Sequence, residues 1–137
     1  LELGATSAID PMAENPVEVI RAATGGVHVA FEVTGVPRVL PQCIDCTRHE
    51  GQTLIVSIWE GDAAFHPNTV VLKERQLQGT IAYRHIYPAV MELMLQGYFS
   101  AERLVTKRIA LDEIVTEGFE ALVAEKSQVK ILVKAPD

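Results

Sequence analysis

The sequence has no excess of positive charge and no long hydrophobic run. Its 137 residues include 12 lysine and arginine residues against 18 aspartate and glutamate residues, which gives a formal net charge of −6. Because a polyanion is bound by a basic surface, this balance argues against nucleic acid as a partner. No apolar stretch approaches the roughly 20 residues that cross a bilayer. We therefore expect no membrane partner and a cytoplasmic location.

Internal repeats, low-complexity segments and serine- or glycine-rich linkers are also missing. The chain is 48% hydrophobic, which is enough for a globular protein with a sizeable core and too apolar for disorder. Because the sequence contains no serine- or glycine-rich linker, any domain boundary near residues 83–88 is expected to be tightly packed rather than flexible.

Cysteine is scarce, and the two that occur form a Cys-x-x-Cys pair, Cys43 and Cys46. A structural zinc site needs four ligands, and no second cysteine or histidine pair stands at the required spacing. A thioredoxin-like motif would place the first cysteine at a helix N-terminus, just after a strand, whereas these lie toward the end of residues 38–49. The spacing favours ordinary helix cysteines, and a thiol redox protein stays open as an alternative.

The histidines give no metal-ligand pattern. They are spread along the chain, so each is more typical of a surface or satisfied core imidazole than of a ligand. The four are His28, His49, His66 and His85. No metal ligand is therefore assigned within this chain.

The first residues resemble the end of a longer element. Leu1-Glu2-Leu3-Gly4 is typical of the last turn of a helix with its closing glycine, and no initiator methionine precedes it. We expect the sequence to be a fragment of a longer polypeptide.

Strands and helices alternate over the first half of the chain. Asn15 and Pro16 predict a helix start, and Gly25-Gly26 its end. The predicted elements are a strand over 7–9, a helix over 16–24, a strand over 27–33, a helix over 37–48 that Pro41 kinks or delays, and a strand over 52–58. This order predicts a parallel sheet with right-handed crossovers.

The alternation becomes irregular after residue 58. A loop over 59–67 precedes a short turn that Asn68 begins. The elements that follow are a strand over 76–83, an apolar helix over 88–96 closed by Gly97, an extended piece over 105–109, an amphipathic helix over 112–125 and a terminal strand over 129–133.

The end of the strand over 27–33 is the strongest candidate for a binding site. Parallel sheets bind ligands beyond the carboxyl ends of their strands, where Thr34 and Gly35 lie. Gly35 allows a positive φ and close approach of a ligand, and Thr34 offers a hydroxyl and an amide. Glu32 is a possible hydrogen-bond anchor for this turn. An ordinary strand-to-helix turn is the alternative interpretation.

Six short segments, spread in order over nearly the whole chain, are typical of a known family. They are Leu3-Gly4-Ala5 with Ile9-Asp10-Pro11, Val29 to Gly35 (VAFEVTG), Val71 to Glu74 (VLKE), Leu77 to Tyr83 (LQGTIAY) and Glu117 to Glu120 (EGFE). In this order they resemble the C-terminal part of the medium-chain, zinc-dependent alcohol dehydrogenase family, above all its butanediol, sorbitol and threonine dehydrogenase branch.

The resemblance implies an α/β fold with a partial Rossmann-type parallel sheet. Residues 1–82 would form the second half of the dinucleotide-binding domain, and residues 83–137 the segment that returns to complete the catalytic domain. The glycine-rich pyrophosphate turn, the acidic residue that selects NAD over NADP, and the zinc and proton-relay residues are expected upstream. No catalytic residue is therefore assigned within this chain.

The resemblance also implies cofactor-binding positions. By analogy, Val33, Thr34 and Gly35 line the crevice beside a ribose, and a second set offers backbone groups to the nicotinamide carboxamide: Val56, Ser57, Ile58, Thr80 and Ala82. Many relatives have glycine where this chain has Ser57. Lys130, on the last strand, stands where the family often has a basic residue that reaches the pyrophosphate. A strand lysine exposed to solvent is an equal alternative.

The implied parent enzyme transfers hydride between a secondary alcohol or polyol and NAD or NADP, with zinc as Lewis acid. The small-molecule partner would be an alcohol or ketone, and the chain would form a homodimer or higher homo-oligomer. The fragment alone should be inactive. The alternatives are a non-catalytic nucleotide-fold and dimerisation module, a zinc-free relative such as a quinone reductase, and the thiol redox protein.

Overall fold

The computed structural model describes residues 1–136, which divide into two compact units, Leu1–Arg84 and a second that begins at His85. The first contains helices α1 (Pro16–Thr24), α2 (Val39–Cys46) and α3 (Asn68–Val71) and strands β1 (Val27–Glu32), β2 (Thr47–Ile55) and β3 (Gln76–Gly79). The second contains helices α4 (Tyr87–Leu95), α5 (Ala101–Leu104) and α6 (Ala121–Ala124) and strands β4 (Lys107–Ala110) and β5 (Ile131–Lys134).

The three strands of the first unit form one parallel sheet in the order β1-β2-β3, which confirms the predicted parallel arrangement. Glu32 pairs with Ile55, and Ile55 pairs with Gly79. The ladder continues one bond further on each side, from Val56 N to the Glu32 carbonyl (2.9 Å) and from Thr80 N to the Ile55 carbonyl (3.0 Å). The three strands therefore end level, at one edge of the sheet.

Helix α1 follows its capping signals closely. The Asn15 side chain accepts a hydrogen bond from Val17 N at 3.0 Å, and Pro16 occupies the first turn, where its missing N–H costs nothing. Gly25 closes the helix at φ 73°. The predicted bounds are confirmed.

Helix α2 and strand β2 differ from the prediction. The helix starts at Val39, which keeps Pro41 within its first turn, and ends at Cys46 rather than residue 48. Strand β2 begins at Thr47 instead of residue 52, because an irregularity in the pairing with β1 accommodates extra residues there. Glu50 turns with φ 57°, and a Cβ on Gly51 would lie 2.8 Å from the Thr47 Cβ.

Three other elements also differ. Residues 7–9 pair with no strand of the described chain. Strand β3 stops at Gly79, not residue 83. Thr80 N makes one more bond to the neighbouring strand, and Ala82 has a left-handed conformation (φ 48°) that is incompatible with a strand. Helix α5 was not predicted.

The core of the first unit lies between α2 and the sheet. Leu40, Ile44 and Cys46 of the helix are buried, and so are Thr47 and Thr53 of β2. Arg75 is also buried, with its guanidinium donating to the main-chain carbonyls of Thr69 (2.8 Å) and Thr47 and lying 3.7 Å from an Asp45 carboxylate oxygen. This side chain therefore connects the segments around α3, α2 and β2.

In the second unit, β4 and β5 pair in parallel, from Lys107 with Ile131 to Ala110 with Lys134. The predicted helix over 112–125 is instead a 3-10 turn (Leu111–Glu113), a π-helical stretch (Ile114–Glu120) and α6. Gly118 is buried in that stretch, and a Cβ there would lie 3.3 Å from the Ile109 Cδ1. Among residues 1–136, no helix combines the length and the apolar character needed to cross a bilayer.

Candidate functional site

Glu32 organises the turn that follows β1. Its side chain is fully buried, at 0% exposure. One carboxylate oxygen, Oε1, accepts hydrogen bonds from Thr34 N (2.8 Å), Thr34 Oγ1 (2.6 Å) and Gly35 N (3.0 Å). The sequence expectation of an anchoring carboxylate at this turn agrees with these contacts.

The second oxygen of Glu32 reaches the neighbouring strand. Oε2 accepts a hydrogen bond from the Ser57 hydroxyl, just beyond the end of β2. Burial opposes ionisation of this carboxyl group, but the hydrogen bonds from Ser57, Thr34 and Gly35 together outweigh it and hold its pKa below the usual value. One ionised side chain therefore joins the ends of two adjacent strands.

Gly35 is the residue that the turn requires. Its φ is 67°, in the left-handed region, and a Cβ there would lie 2.9 Å from the Ile58 carbonyl oxygen. Any side chain would therefore combine backbone strain with a clash against the main chain that follows β2. The close approach of these two segments is possible because residue 35 is glycine.

A cavity of about 630 Å³ opens beyond the ends of β2 and β3. Four of the nine residues proposed as cofactor contacts line it, together with two that the sequence analysis missed. The lining is Val56, Ile58, Thr80, Ile81, Ala82 and Tyr83. Ile81 and Tyr83 belong to the LQGTIAY segment, but they were assigned to a strand that in fact ends at Gly79, so their position at the cavity was not evident.

The polarity of the cavity edge follows from the ladder. The amides of Val56 and Thr80 donate to the sheet, so at these two positions the carbonyl is the group suited to meet a ligand. A carbonyl accepts hydrogen bonds, and a carboxamide N–H₂ donates them. This arrangement is suited to hold a primary amide.

The remaining proposed contacts lie elsewhere. Val33, Thr34, Gly35 and Ser57 lie at the Glu32 turn rather than in the lining of this cavity. Lys130 belongs to the second unit and precedes β5 rather than lying on it, which corrects the predicted strand placement. Its side chain is exposed, and its carbonyl accepts a hydrogen bond from Thr106 N at 2.9 Å.

The cysteines lack the properties of redox-active thiols. Burial, together with the charge of Glu32 and the neighbouring Cys46, raises the pKa of Cys43 to about 11. Burial likewise raises the pKa of Cys46. A reactive thiol needs a lowered pKa, because the thiolate is the nucleophile. The burial of the two thiols and the raised pKa that it causes therefore argue against thiol chemistry at this pair.

Three possible metal-ligating side chains meet away from the cavity. His49, Glu50 and Glu74 place their ligand atoms within 4.8 Å of one another, and all three are exposed. They precede Gln52 and Gln76, where the β2–β3 pairing begins, so they lie at the opposite end of the strands. Within residues 1–136, no such group of ligating side chains occurs at the cavity. The described residues thus do not form a zinc site for chemistry there, and we derive no step through a metal.

Comparison with known proteins finds relatives over most of this chain. The model of the zinc-binding dehydrogenase family matches residues 1–96. The chain is 57% identical over 135 residues to (R,R)-butanediol dehydrogenase of Bacillus subtilis, and 38% identical over 128 residues to the enzyme of that name from Neisseria gonorrhoeae. It covers 39% and 36% of those proteins, respectively, while 97% and 91% of the chain itself is matched.

Solved structures show the same likeness. The crystal structure of 2R,3R-butanediol dehydrogenase from Bacillus subtilis superposes with a TM-score of 0.89, covering 94% of this chain and 38% of that one. A zinc-binding dehydrogenase from Sinorhizobium meliloti, solved with NADP, is 25% identical with a TM-score of 0.83, over 96% of this chain and 40% of that one. The chain belongs to the zinc-binding dehydrogenase family.

Proposed function

We propose that this chain forms the nicotinamide side of the cofactor site of an NAD(P)-dependent dehydrogenase, one that interconverts a secondary alcohol or vicinal diol and its ketone. Residues 1–82 would be the second half of the dinucleotide-binding domain, and residues 83–137 the returning segment of the catalytic domain. The cavity beyond β2 and β3, in a chain 57% identical to a butanediol dehydrogenase, carries the proposal.

The chain's own residues would hold and orient the nicotinamide ring. NAD or NADP, when bound, supplies the hydride acceptor, and the carbonyls of Val56 and Thr80 would fix the carboxamide so that one face of the ring meets the substrate. Exposed apolar side chains, among them Ile58 and Ile81, would cover the ring and displace water. In this role the chain positions the cofactor.

A chimera tests the proposal. The segment of the Bacillus subtilis butanediol dehydrogenase aligned with this chain is replaced by the chain, and the rates of NAD- and NADP-linked oxidation of (R,R)-butanediol are measured. The unaltered Bacillus enzyme is the reference. We expect a folded chimera that binds nicotinamide cofactor and oxidises the diol. A folded chimera that binds neither NADH nor NADPH would contradict the proposal.

The same experiment distinguishes the proposed dehydrogenase from a second candidate function, a non-catalytic nucleotide-fold module. Such a module would allow cofactor binding in the chimera without turnover. The matched family and the 57% identity to an enzyme favour the dehydrogenase. A cytoplasmic location remains the expectation from sequence.

We also propose that the chain associates with a second copy through the β3 side of its sheet. Strand β3 pairs only with β2 in the described residues, so one edge is open. Large apolar side chains in the segment before that strand are exposed, including Val71 at 65% and Leu72 at 73%. Open edges and exposed apolar surface favour association.

A further inference from the structure

Glu32 is a buried charge without a basic partner among residues 1–136. None of the described ion pairs includes it, and its pKa is lowered by hydrogen bonds from Ser57, Thr34 and Gly35 rather than by a cation. Burying a charge is costly, and here four hydrogen bonds to the carboxylate offset that cost. The ionised side chain therefore fixes the direction of every hydrogen bond that it accepts.

The charge determines the polarity of Ser57. A hydroxyl has one proton, and the Ser57 proton is donated to Glu32 Oε2. An ionised carboxylate only accepts, so this hydrogen bond cannot reverse its direction. Ser57 as a residue is half-buried, and it stands in the chain between the two cavity-lining residues Val56 and Ile58. With its proton donated to Glu32, its hydroxyl oxygen can offer a ligand only lone pairs.

We propose that Glu32 is a positioning residue for the cofactor, acting through two groups. It holds the Thr34–Gly35 turn against the segment after β2, and it fixes Ser57 as an obligate hydrogen-bond acceptor for an N–H or O–H donor on the nicotinamide riboside. This inference rests on the proposed function and adds a side-chain contact at a position where many relatives have glycine.

The test uses four variants of the chimera described above: Glu32→Gln, Ser57→Ala, the double variant and, as a matched control, Glu14→Gln. Glutamine keeps the shape of Glu32, and its carbonyl still accepts from Thr34 and Gly35. Its amide N–H₂, however, donates to Ser57, which releases the hydroxyl proton. Glu14 is exposed and distant from the turn along the chain, so its variant removes one negative charge only.

A lost hydrogen bond of this kind corresponds to a change of about tenfold in affinity. We expect Glu32→Gln and Ser57→Ala each to raise the KM for cofactor by up to about tenfold, with kcat altered less, and the double variant to be no worse than Ser57→Ala alone. Glu14→Gln should match the reference. Additive effects in the double variant, or an unchanged KM in Glu32→Gln, would overturn the inference.

The donor on the ligand is identified with 3-acetylpyridine adenine dinucleotide, in which an acetyl group replaces the carboxamide. If Ser57 accepts from the carboxamide, the Ser57→Ala penalty disappears with this cofactor. If it accepts from a ribose hydroxyl, the penalty persists. Either result supports the acceptor role, and the absence of a penalty with both cofactors contradicts it.

A readout without cofactor separates this inference from the proposed function. In the ¹⁵N-labelled chain, the amide protons of Thr34 and Gly35 should resonate downfield and move upfield in Glu32→Ala but not in Glu14→Gln. A chimera that binds no cofactor while these shifts behave as expected would refute the proposed function and the cofactor role together. Cofactor binding that is equal in reference and Glu32→Gln chimeras would refute the positioning role alone.

Discussion

A single buried carboxylate sets the conformation of the turn after β1, and this could be anticipated only in part from the sequence. The chain position of Glu32, next to Thr34 and Gly35, indicated an anchor for the turn. The bond to Ser57 could not be anticipated, because it joins residues 25 positions apart whose closeness depends on the β1–β2 register. Likewise, Gly35 was expected to need a positive φ, but its approach to Ile58 is a tertiary contact.

The first prediction concerns Gly35. Gly35→Ala should lower the free energy of unfolding by at least about 1–2 kcal/mol, because it adds a left-handed alanine and a Cβ 2.9 Å from the Ile58 carbonyl oxygen. Urea unfolding followed by circular dichroism measures the change. The matched control is Gly61→Ala, since no heavy atom lies within 4 Å of a Cβ at Gly61. Equal stability of the two variants would show that the turn tolerates a side chain.

The second prediction follows from the lowered pKa of Glu32. Because the folded-state pKa is below the ordinary value of 4.5, ionised Glu32 stabilises the fold above that value, and the contribution is lost as the pH falls through the folded-state pKa. The unfolding free energy of the wild type should therefore fall more steeply below pH 4.5 than that of Glu32→Gln, whose side chain does not titrate. Urea titrations between pH 3 and 7 compare the two, and parallel pH profiles would contradict the prediction.

At the scale of elements, the sequence predicted correctly those helix ends that are determined by neighbouring residues. Helix α1 has its bounds from Asn15, Pro16 and Gly25, which act within one turn. Strand β2 and the helix predicted over 112–125 were misjudged, because a pairing irregularity and the packing of Gly118 against Ile109 determine them. Both involve contacts between different elements, and the periodicity within one element does not report such contacts.

A third prediction concerns the connection between elements that Arg75 makes. Arg75→Ala should destabilise the protein by about 2–3 kcal/mol, because it leaves the buried carbonyl of Thr47 and the part-buried carbonyl of Thr69 without their donor. Arg108→Ala is the control: that side chain is exposed and pairs with Glu102, so its loss should cost less than about 1 kcal/mol. Thermal or urea unfolding of both variants gives the difference, and similar losses would contradict the role of Arg75.

At the scale of the whole molecule, the alternation of strands and helices was sufficient to predict the parallel sheet, and a cavity does open beyond the carboxyl ends of two of its strands. The alternation was not sufficient to outline the cavity, because Ile81 and Tyr83 were assigned to a strand that ends at Gly79, and both residues line the cavity beyond that end. The sequence analysis also missed the cluster of His49, Glu50 and Glu74. These residues are distant in the sequence, and only the fold brings residue 74 to residues 49 and 50.

The fourth prediction is that the chain self-associates. Sedimentation velocity at micromolar concentration should show a dimer or larger species, because the open edge of β3 and the exposed apolar residues near it favour pairing with a second copy. Leu72→Lys, which places a charge on that surface, should shift the distribution toward monomer, and Leu1→Lys, far from β3 in the sequence, should not. A monomer in the wild type would contradict the proposal.

The ladder between the strands ends at Val56 and Thr80, and the cavity is built mainly from the residues that come just after. Side chains at Ile58, Ile81 and Tyr83 can therefore diverge without breaking a bond of the sheet. If the cavity holds the nicotinamide as proposed, the positions that stabilise the sheet differ from those that would set the choice of ligand. Variants at Ile58, Ile81 and Tyr83 can therefore change which ligand binds while the sheet stays the same. A library of substitutions confined to these three positions would sample new ligand specificities in proteins that still fold.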